Sequence, residues 1–431
     1  MEKLNLLSYH ISTFINDIDK EFILRHNKDP DNKLNFANTL YASSMLLNCT
    51  SLDSVVSDLE IDNITTISKN ALVKKRNSEN TYRCIENMNK KLLNLFYDRN
   101  NNFIKDYSFI LDKKKSYYIK SNKPDKNLFI NNTKFRFIAN DGMQIVADKK
   151  AINNNDIKKS KSGQYGVVLI SGLYDILNEI PISYHKTCSD IGSFNKKKAN
   201  ESVGFLQQID DLTNNDIVVF DRLYYSTKFH KKLIDKNIGY MFRMKNNSKL
   251  FKNIHPGKYK TKNVNGVNVK LFKYKVKNEV YNILTSITDK ISVGEIRALY
   301  WKRWKIETDN KKFKYDILRT NIRSKKYFSL SVDVECVKFM SIISSIIEYI
   351  GKYETNNNKK INSKNCIHIL YKKLLYLLFY DNKNFTEIGR LTGIIYKKLI
   401  TIVADRSYKR IRIKPSTKWN KNGNRFGNMK E

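Results

Sequence analysis

The chain has few of the residues that break or cross-link a fold. Its 431 residues include only 5 prolines, 15 glycines and 5 cysteines. So little proline and glycine excludes a collagen-like protein or one made mainly of linkers. No two cysteines form a Cys-x-x-Cys pair and the 6 histidines are dispersed, which excludes a zinc ribbon and a disulfide scaffold. This cysteine usage is typical of a reducing compartment.

Long apolar runs are also missing. The stretches 342–350 and 374–380 are too short to span a bilayer. Residues 1–7 do not combine a basic region with a sustained apolar stretch, so no signal peptide is expected. The sequence therefore predicts a soluble, intracellular protein without a membrane segment.

Acidic residues are outnumbered almost two to one. There are 42 Asp and Glu against 79 Lys and Arg, a net charge of +37. Such an excess attracts polyanions, so nucleic acid is the expected partner and an anionic membrane surface is the alternative. The length exceeds the roughly 250–300 residues at which one core stops growing, and this predicts two or three domains.

Residues 1–133 show mostly helical spacing and are predicted to form an N-terminal DNA-binding region. Within it, Ser68 is placed to cap a short helix over residues 69–76 that carries three lysines and an arginine. That helix suits docking on DNA phosphates, and a plain basic surface helix is the alternative. The basic tail, residues 406–426, contains Tyr408, Trp419 and Phe426 and is read as a nucleic-acid-contacting arm or as a solvated tail.

The spacing changes at about residue 134 and predicts an α/β catalytic region over residues 134–350. Residues 166–170 and 217–220 are short apolar runs, as in strands buried on both faces of a parallel or mixed sheet. Alternation over about 246–290, with a hairpin signal at Asn265-Gly266, predicts an antiparallel insertion. Helical spacing then returns, and residues 351–431 are predicted to form a basic helical C-terminal region.

Two aspartates are predicted to lie at strand ends. Asp221 directly follows the buried run 216–220, and Asp141 closes the strand pattern that starts at Phe135. Sites in open α/β sheets form at the carboxyl ends of strands. Two carboxylates there would suit Mg²⁺ or Mn²⁺, which favour oxygen ligands. Taken alone, either aspartate is more often an N-cap or turn residue than a metal ligand.

Residues 299–314 place a third carboxylate among phosphate-binding groups. On one ideal helix, Tyr300, Arg303, Glu307 and Lys314 lie within an arc of roughly 60°. A carboxylate flanked by a guanidinium and an ammonium suits phosphoryl transfer on DNA. The alternative is a solvated face with an Arg303–Glu307 pair.

The spacing of these four residues, Y-x2-R-x3-E-x6-K, resembles the signature of the insertion sequence four family of DDE transposases. Residues 216–224, DIVVFDRLY, resemble the family's D-x-V-x-x-D-R-G-Y block, and Asn140-Asp141-Gly142 stands where its first catalytic Asp-Gly is found. The resemblance extends over about residues 35–345. Leu223 departs from it in place of a glycine, Met143 in place of Thr or Ser, and Asp309-Asn310 in place of aromatic residues.

The resemblance implies an RNase H-like mixed-sheet core with a β insertion, flanked by helical N- and C-terminal regions. It implies a metal-dependent transposase that cuts element ends and joins them to target DNA, with Asp141, Asp221 and Glu307 holding two Mg²⁺ or Mn²⁺ ions. Double-stranded DNA, as terminal inverted repeats and target, is the implied partner, bound by a homodimer on paired ends. The residues implied to contact DNA are Tyr300, Arg303, Lys314, Arg222 and the base-stacking candidate Tyr281.

Three other functions stay open at this point. A derivative of the same fold that binds DNA without cutting it would keep these blocks. A nuclease that never rejoins DNA would differ only in its products. A basic structural or RNA-binding protein would show no preference for particular DNA ends, and its affinity would fall uniformly with salt.

Overall fold

The computed structural model describes most of the chain. The described residues are 2–24, 34–48, 51–98, 106–111, 117–122, 129–130, 133–152, 157–160, 163–187, 201–288, 290–318, 322, 324–352 and 359–401. Within them, no helix is long and apolar enough to cross a membrane. The basic tail, residues 406–426, lies outside the described part.

In the described part of the N-terminal region the structure has five helices. They are α1 (Glu2–Leu24), α2 (Phe36–Leu46), α3 (Leu52–Ile61), α4 (Lys69–Arg76) and α5 (Glu79–Tyr97). The prediction for α4 is confirmed, because the Ser68 hydroxyl accepts a hydrogen bond from the Ala71 amide and caps this helix. Arg76 differs from the expected DNA-facing position: it is 6% exposed and its guanidinium pairs with Asp333. One of the four basic side chains of α4 is therefore buried and paired inside the protein.

Short strands follow where helical spacing was expected. Two small hairpins precede the main sheet: β1 (Asp106–Leu111) pairs with β2 (Tyr117–Asn122), and β3 (Phe129–Ile130) pairs with β4 (Thr133–Lys134). The sequences DYSFIL and YYIKSN are rich in aromatic and β-branched residues, which favour strands over helices.

Nine strands form one mixed sheet. Its order is β11-β12-β13-β10-β9-β5-β7-β6, and β8 also pairs with the long strand β7. The strands are β5 (Arg136–Ala147), β6 (Ile157–Ser160), β7 (Gly163–Asp175), β8 (Ile180–Thr187), β9 (Asp216–Phe220), β10 (Gly239–Met244), β11 (Lys258–Val264), β12 (Val267–Val276) and β13 (Glu279–Thr285).

The centre of this sheet has an RNase H-like arrangement. Strands β5, β7 and β8 form an antiparallel meander, and β9 and β10 add in parallel on the other side of β5. The predicted RNase H-like mixed sheet is therefore confirmed.

The predicted β insertion extends the same sheet. Strands β11, β12 and β13 are antiparallel, and β13 pairs with β10. The turn between β11 and β12 is Asn265-Gly266, and both residues have a positive φ, of 55° and 86°. A two-residue type I′ hairpin turn requires positive φ at both positions, so the hairpin prediction is confirmed.

Helices cover both faces of the sheet. On one face, α8 (Val293–Lys302) and α9 (Lys305–Lys311) pack on side chains from alternate positions of β5 and β9. On the other, α6 (Glu201–Leu206) and α7 (Thr227–Asp235) pack through Phe205 and Phe229 against Phe220. Burial of both faces explains why the sequence of β9 is an unbroken apolar run.

The described residues from 324 onward are mainly helical, with one short strand pair. The helices are α10 (Tyr327–Lys352), α11 (Ser363–Ile369), α12 (Leu375–Tyr380) and α13 (Phe385–Lys397), and strand β14 (Lys359–Ile361) pairs with β15 (Leu399–Thr401). Helix α10 packs against α5, so it joins the N-terminal helices to the catalytic region. Asn89 on α5 donates hydrogen bonds to both the carbonyl and the carboxylate of Glu335 on α10.

Two local predictions were wrong. Strand β5 does not end at Asp141 but continues to Ala147. It does so because β7 pairs with every residue of β5 from Ile138 to Ala147. Residues 299–314 do not form one regular helix. A turn at Arg303-Trp304 separates α8 from α9, and a π-helical segment, Lys312–Ile317, follows.

A buried ion pair joins β5 to β9 at their starts. The Arg136 side chain donates to both carboxylate oxygens of Asp216, over 2.6 Å and 2.7 Å, and Asp216 is fully buried. The Thr213 amide donates to the same carboxylate, over 2.7 Å. With these bonds made, the buried charge is compensated.

Arg136→Ala should destabilise the protein by about 3–5 kcal/mol, because it leaves the Asp216 carboxylate buried without its cation. Lys69→Ala, which breaks the exposed pair with Asp53, is the matched control and should cost less than about 1 kcal/mol. Urea unfolding of both variants measures the difference. Equal losses would contradict the role given to the buried pair.

Candidate active site beside two parallel strands

The register between β5 and β9 places two aspartates side by side. Each residue of β5 pairs with the residue 80 positions later, from Arg136 with Asp216 to Ala139 with Val219. The same offset brings Asp141 level with Asp221. Both follow alternate residues whose side chains lie on the α8–α9 face of the sheet. The two carboxylates therefore lie at the same level of the sheet, Asp141 within β5 and Asp221 directly after β9.

Glu307 reaches this site from α9. Helix α8 begins with a capping box, in which the Ser292 hydroxyl accepts from the Glu295 amide and the Glu295 carboxylate accepts from the Ser292 amide. At its end, Arg303 pairs with Glu307 over 3.4 Å. A new helix, α9, begins directly after this point, and Glu307, the third carboxylate, lies in its first turn.

Tyr300 and Arg303 lie in the core, not on the surface. They are 1% and 3% exposed, and the Tyr300 hydroxyl donates to the carbonyl of Phe220, over 3.5 Å. Phe220 directly precedes Asp221, so Tyr300 contacts the backbone that carries the second aspartate. Contact of either residue with phosphate stays a prediction.

Asn310 and Lys314, which follow Glu307 in the chain, also lie beside Asp141. The Asn310 amide donates to Asp141 Oδ2 over 2.9 Å. Lys314 is in the π-helical segment, where burial lowers the pKa of its ammonium and the charge of Asp141 raises it. Single π turns are frequent at functional sites, and this one places a partly buried cation beside the first carboxylate.

A fourth carboxylate, Glu201, was not predicted. It is the first residue of α6, and its charge acts on Asp141 and is acted on by Asp221. In the sequence, nothing distinguishes it from the many acidic residues that favour the first turn of a helix. Only the packing of α6 on β5 and β7 brings it to the site.

The site carries an excess of negative charge. Burial is the main cause that raises the pKa of Asp141 to about 6, and the charges of Glu201 and Glu307 raise it further, while Arg303 opposes them. Burial likewise raises the pKa of Glu201. These carboxylates repel one another when they are ionised. A bound cation would reduce that repulsion.

Tyr281 lies in β13 of the β insertion, and Arg222 contacts this insertion through Glu279. Arg222 pairs with Glu279 over 3.0 Å, and Arg243 pairs with the same carboxylate. The Tyr281 ring is 6% exposed, stacked on Tyr274 and 4.1 Å from the Arg243 guanidinium. DNA contact by Arg222 and base stacking by Tyr281 stay predictions, and the latter requires the ring to leave this packing.

The departures from the family pattern have different environments. Leu223 is 77% exposed and Met143 is buried in the core. Asp309 is buried, the Tyr184 hydroxyl donates to it, and burial raises its pKa to about 6. Its neighbour Asn310 is the residue that holds Asp141. Asn310 therefore contacts a predicted site residue, whereas Asp309 is bound by Tyr184 in the core.

The donor set fits a hard divalent cation in its chemistry. Asp141, Glu201, Asp221 and Glu307 are all oxygen donors, which Mg²⁺ and Mn²⁺ prefer. As the side chains stand, no group of three or more His, Cys, Asp or Glu among the described residues is arranged to hold a metal ion. The Arg303 guanidinium instead partly neutralises the cluster.

Part of the chain is similar to a known family of domains. Residues 132–335, just under half of the chain, match the family described as the transposase DDE domain, and this match supports a DDE transposase. A chain in the cryo-EM structure of the piggyBac transposase synaptic complex with hairpin DNA is similar over 94% of this chain and 87% of that one, with 12% identity and a TM-score of 0.43. None of the curated protein sequences compared with the chain matches it.

Asp141→Asn should stabilise the protein at pH 7.5 in the absence of divalent cations. Since the pKa of Asp141 is raised from 3.8 to about 6, its ionisation lowers stability as pH rises from about 4 to about 6. Removing that charge should gain about 1–3 kcal/mol at pH 7.5 and little at pH 4. Urea unfolding in a chelator at both pH values measures this.

The exposed Asp58→Asn is the control and should change stability by less than about 0.5 kcal/mol at either pH. A loss of stability in Asp141→Asn at pH 7.5 would mean that the carboxylate is compensated in the folded protein.

Proposed function

We propose that the chain is a cut-and-paste DNA transposase, which cleaves the ends of its element and joins them to target DNA. The observation that carries the proposal is the β5–β9 register, which sets Asp141 level with Asp221 beneath the helix that bears Glu307. Three carboxylates brought together from separate segments beside the centre of the sheet suit phosphoryl transfer. The transposase DDE domain matched by residues 132–335 contains all three.

Asp141, Asp221 and Glu307 would hold two divalent cations, Mg²⁺ or Mn²⁺. Bound there, such ions supply Lewis-acid stabilisation of phosphate oxygens and a nucleophile at neutral pH. Other residues of the chain position these carboxylates. Asn310 orients Asp141 through its hydrogen bond, and Arg303 holds Glu307 in the first turn of α9.

Basic side chains around the carboxylates would bind the DNA strands. Lys314 is partly buried beside Asp141, so its ammonium would contact a phosphate at the cleaved position. Arg222, adjacent to Asp221, would do so after leaving Glu279. The net charge of +37 provides the non-specific attraction, and α4 with the N-terminal helices would bind the terminal inverted repeats. A homodimer on paired ends follows from the resemblance alone.

A DNA-binding derivative without cleavage activity is the second candidate. It is favoured by the Arg303–Glu307 pair, because a guanidinium that neutralises Glu307 competes with a metal ion for the same oxygens. The two candidates differ in whether DNA strands are cut.

Asp221→Ala should abolish cleavage of element-end DNA in Mg²⁺ or Mn²⁺ and leave end binding nearly intact, because metal ligation and phosphate contact lie on different residues. The assay is excision of a marker flanked by the DNA that borders the gene, with strand-transfer products scored separately to distinguish a transposase from a nuclease. Glu307→Ala should behave in the same way. Asp210→Ala, at a highly exposed carboxylate before β9, is the matched control and should retain activity.

Two results would count against the proposal. Cleavage by Asp221→Ala would show that the metal site is wrong. Specific end binding without excision by the wild-type protein would favour the derivative that only binds DNA.

Lys314→Ala should weaken the end complex and reduce the slope of log affinity against log salt by about 1, because one phosphate contact is lost. Lys236→Ala, at an exposed lysine paired with Asp210, is the control. Binding titrations at several salt concentrations measure both. An unchanged slope in Lys314→Ala would remove this residue from the DNA contacts.

A further inference from the structure

Arg243 stands in the same row of the sheet as the two aspartates. Strand β10 pairs with β9 in parallel, and each of its residues lies level with the residue 22 positions earlier, beginning with Gly239 and Ile217. The same offset brings Arg243 level with Asp221. Its guanidinium lies 4.1 Å from the ring of Tyr281, which belongs to the α8–α9 face of the sheet. A buried cation is therefore held on the strand next to β9, about 4.8 Å away, and on the face of the proposed site.

The Glu279 carboxylate accepts hydrogen bonds from three side chains at once. Its Oε1 accepts from Nη2 of Arg222, over 3.0 Å, and from Nη2 of Arg243. Its Oε2 accepts from the Tyr281 hydroxyl, over 3.2 Å. Glu279 is the first residue of β13 and its side chain is 50% exposed, whereas Arg243 and Tyr281 are both buried. A carboxylate at the surface of the β insertion thus occupies a set of donors that lies largely inside the protein.

The carboxylate does not satisfy all of these donors. Arg243 donates to Glu279 through Nη2, and within the described part of the chain its buried Nε has no hydrogen-bond partner. The Nε and Nη2 of a guanidinium form a fork that can donate to two oxygens of one anion. A buried donor without an acceptor is costly. The arrangement therefore suits an anion that presents two oxygens to Arg243, as a phosphate can.

We propose that these three donors form a binding site for a phosphate of the DNA strand, and that Glu279 occupies this site in the protein without DNA. The inference rests on the proposed function. It adds Arg243 to the residues that contact DNA, and it makes Glu279 an internal competitor that DNA must displace. Because Arg243 lies level with Asp221, the bound phosphate would lie next to the proposed cleavage site.

The test is binding of element-end DNA to the full chain in a chelator, measured by fluorescence anisotropy. Glu279→Gln keeps the size of the side chain and removes its charge. The DNA phosphate then has no carboxylate to displace, so affinity should rise about two- to fivefold, the range expected for loss of a partly exposed ion pair. Glu387→Gln is the matched control, because Glu387 is also partly exposed and pairs with Arg390, but it lies on α13. It removes the same charge and should change affinity little.

Arg243→Gln tests the other side of the same contact. It removes a phosphate donor, so it should weaken DNA binding and reduce the slope of log affinity against log salt by about 1. In this background Glu279→Gln should give a smaller gain than in the wild type, because the carboxylate then blocks only Arg222. Melting temperatures separate loss of binding from loss of folding. Arg222→Gln, at a more exposed arginine, replaces Arg243→Gln in this comparison if the buried substitution does not fold.

The outcomes distinguish this inference from the function beneath it. If the wild type binds and cuts element ends, but Glu279→Gln binds no more tightly than Glu387→Gln, then Glu279 does not occupy a phosphate site and the proposed function stands. If Glu279→Gln binds more tightly but the wild type never cuts DNA, the phosphate site is supported and the transposase is not. Equal gains from Glu279→Gln with and without Arg243 would overturn the link between these two residues.

Discussion

The parallel pairing of β5 with β9 is the constraint on which the rest of the site depends. At the start of the two strands, Arg136 and Asp216 form a buried ion pair, and five residues further along each strand stand Asp141 and Asp221. The register that satisfies the first pair therefore sets the second pair level. A slip of one residue would turn one aspartate to the opposite face of the sheet.

The strength of this arrangement differs between its two ends. The Arg136–Asp216 end is compensated, with a cation and two Thr213 donors on one carboxylate. The Asp141 end gathers carboxylates without enough cations, as the raised pKa of Asp141 reflects. The stabilising ion pair is thus at the Arg136–Asp216 end of the strands, where no catalytic residue is proposed. The Asp141 end is left with the unfavourable charge that a phosphoryl-transfer site uses.

The helix that carries Glu307 shows how far periodicity alone can be taken. The sequence predicts that Arg303 and Glu307 are neighbours, and the ion pair confirms it. The same reasoning predicts one straight helix with Tyr300 on its surface, which is wrong. Tyr300 is instead 1% exposed, and its hydroxyl donates to the carbonyl of Phe220 at the end of β9. Ideal angular spacing does not include this packing term.

The sequence by itself determined the mixed-sheet class, the Asn265-Gly266 hairpin, the cap of α4 and the order of the three carboxylate blocks. These depend on local chemistry: alternation, turn residues that tolerate positive φ, and hydroxyls that cap helices. Only the tertiary structure decided that Glu201 lies beside Asp141, that Asn310 supports Asp141 from α9 and that Arg76 is withdrawn into the core. Each of those contacts joins segments far apart in the chain, and no local pattern of residues encodes which segments will meet.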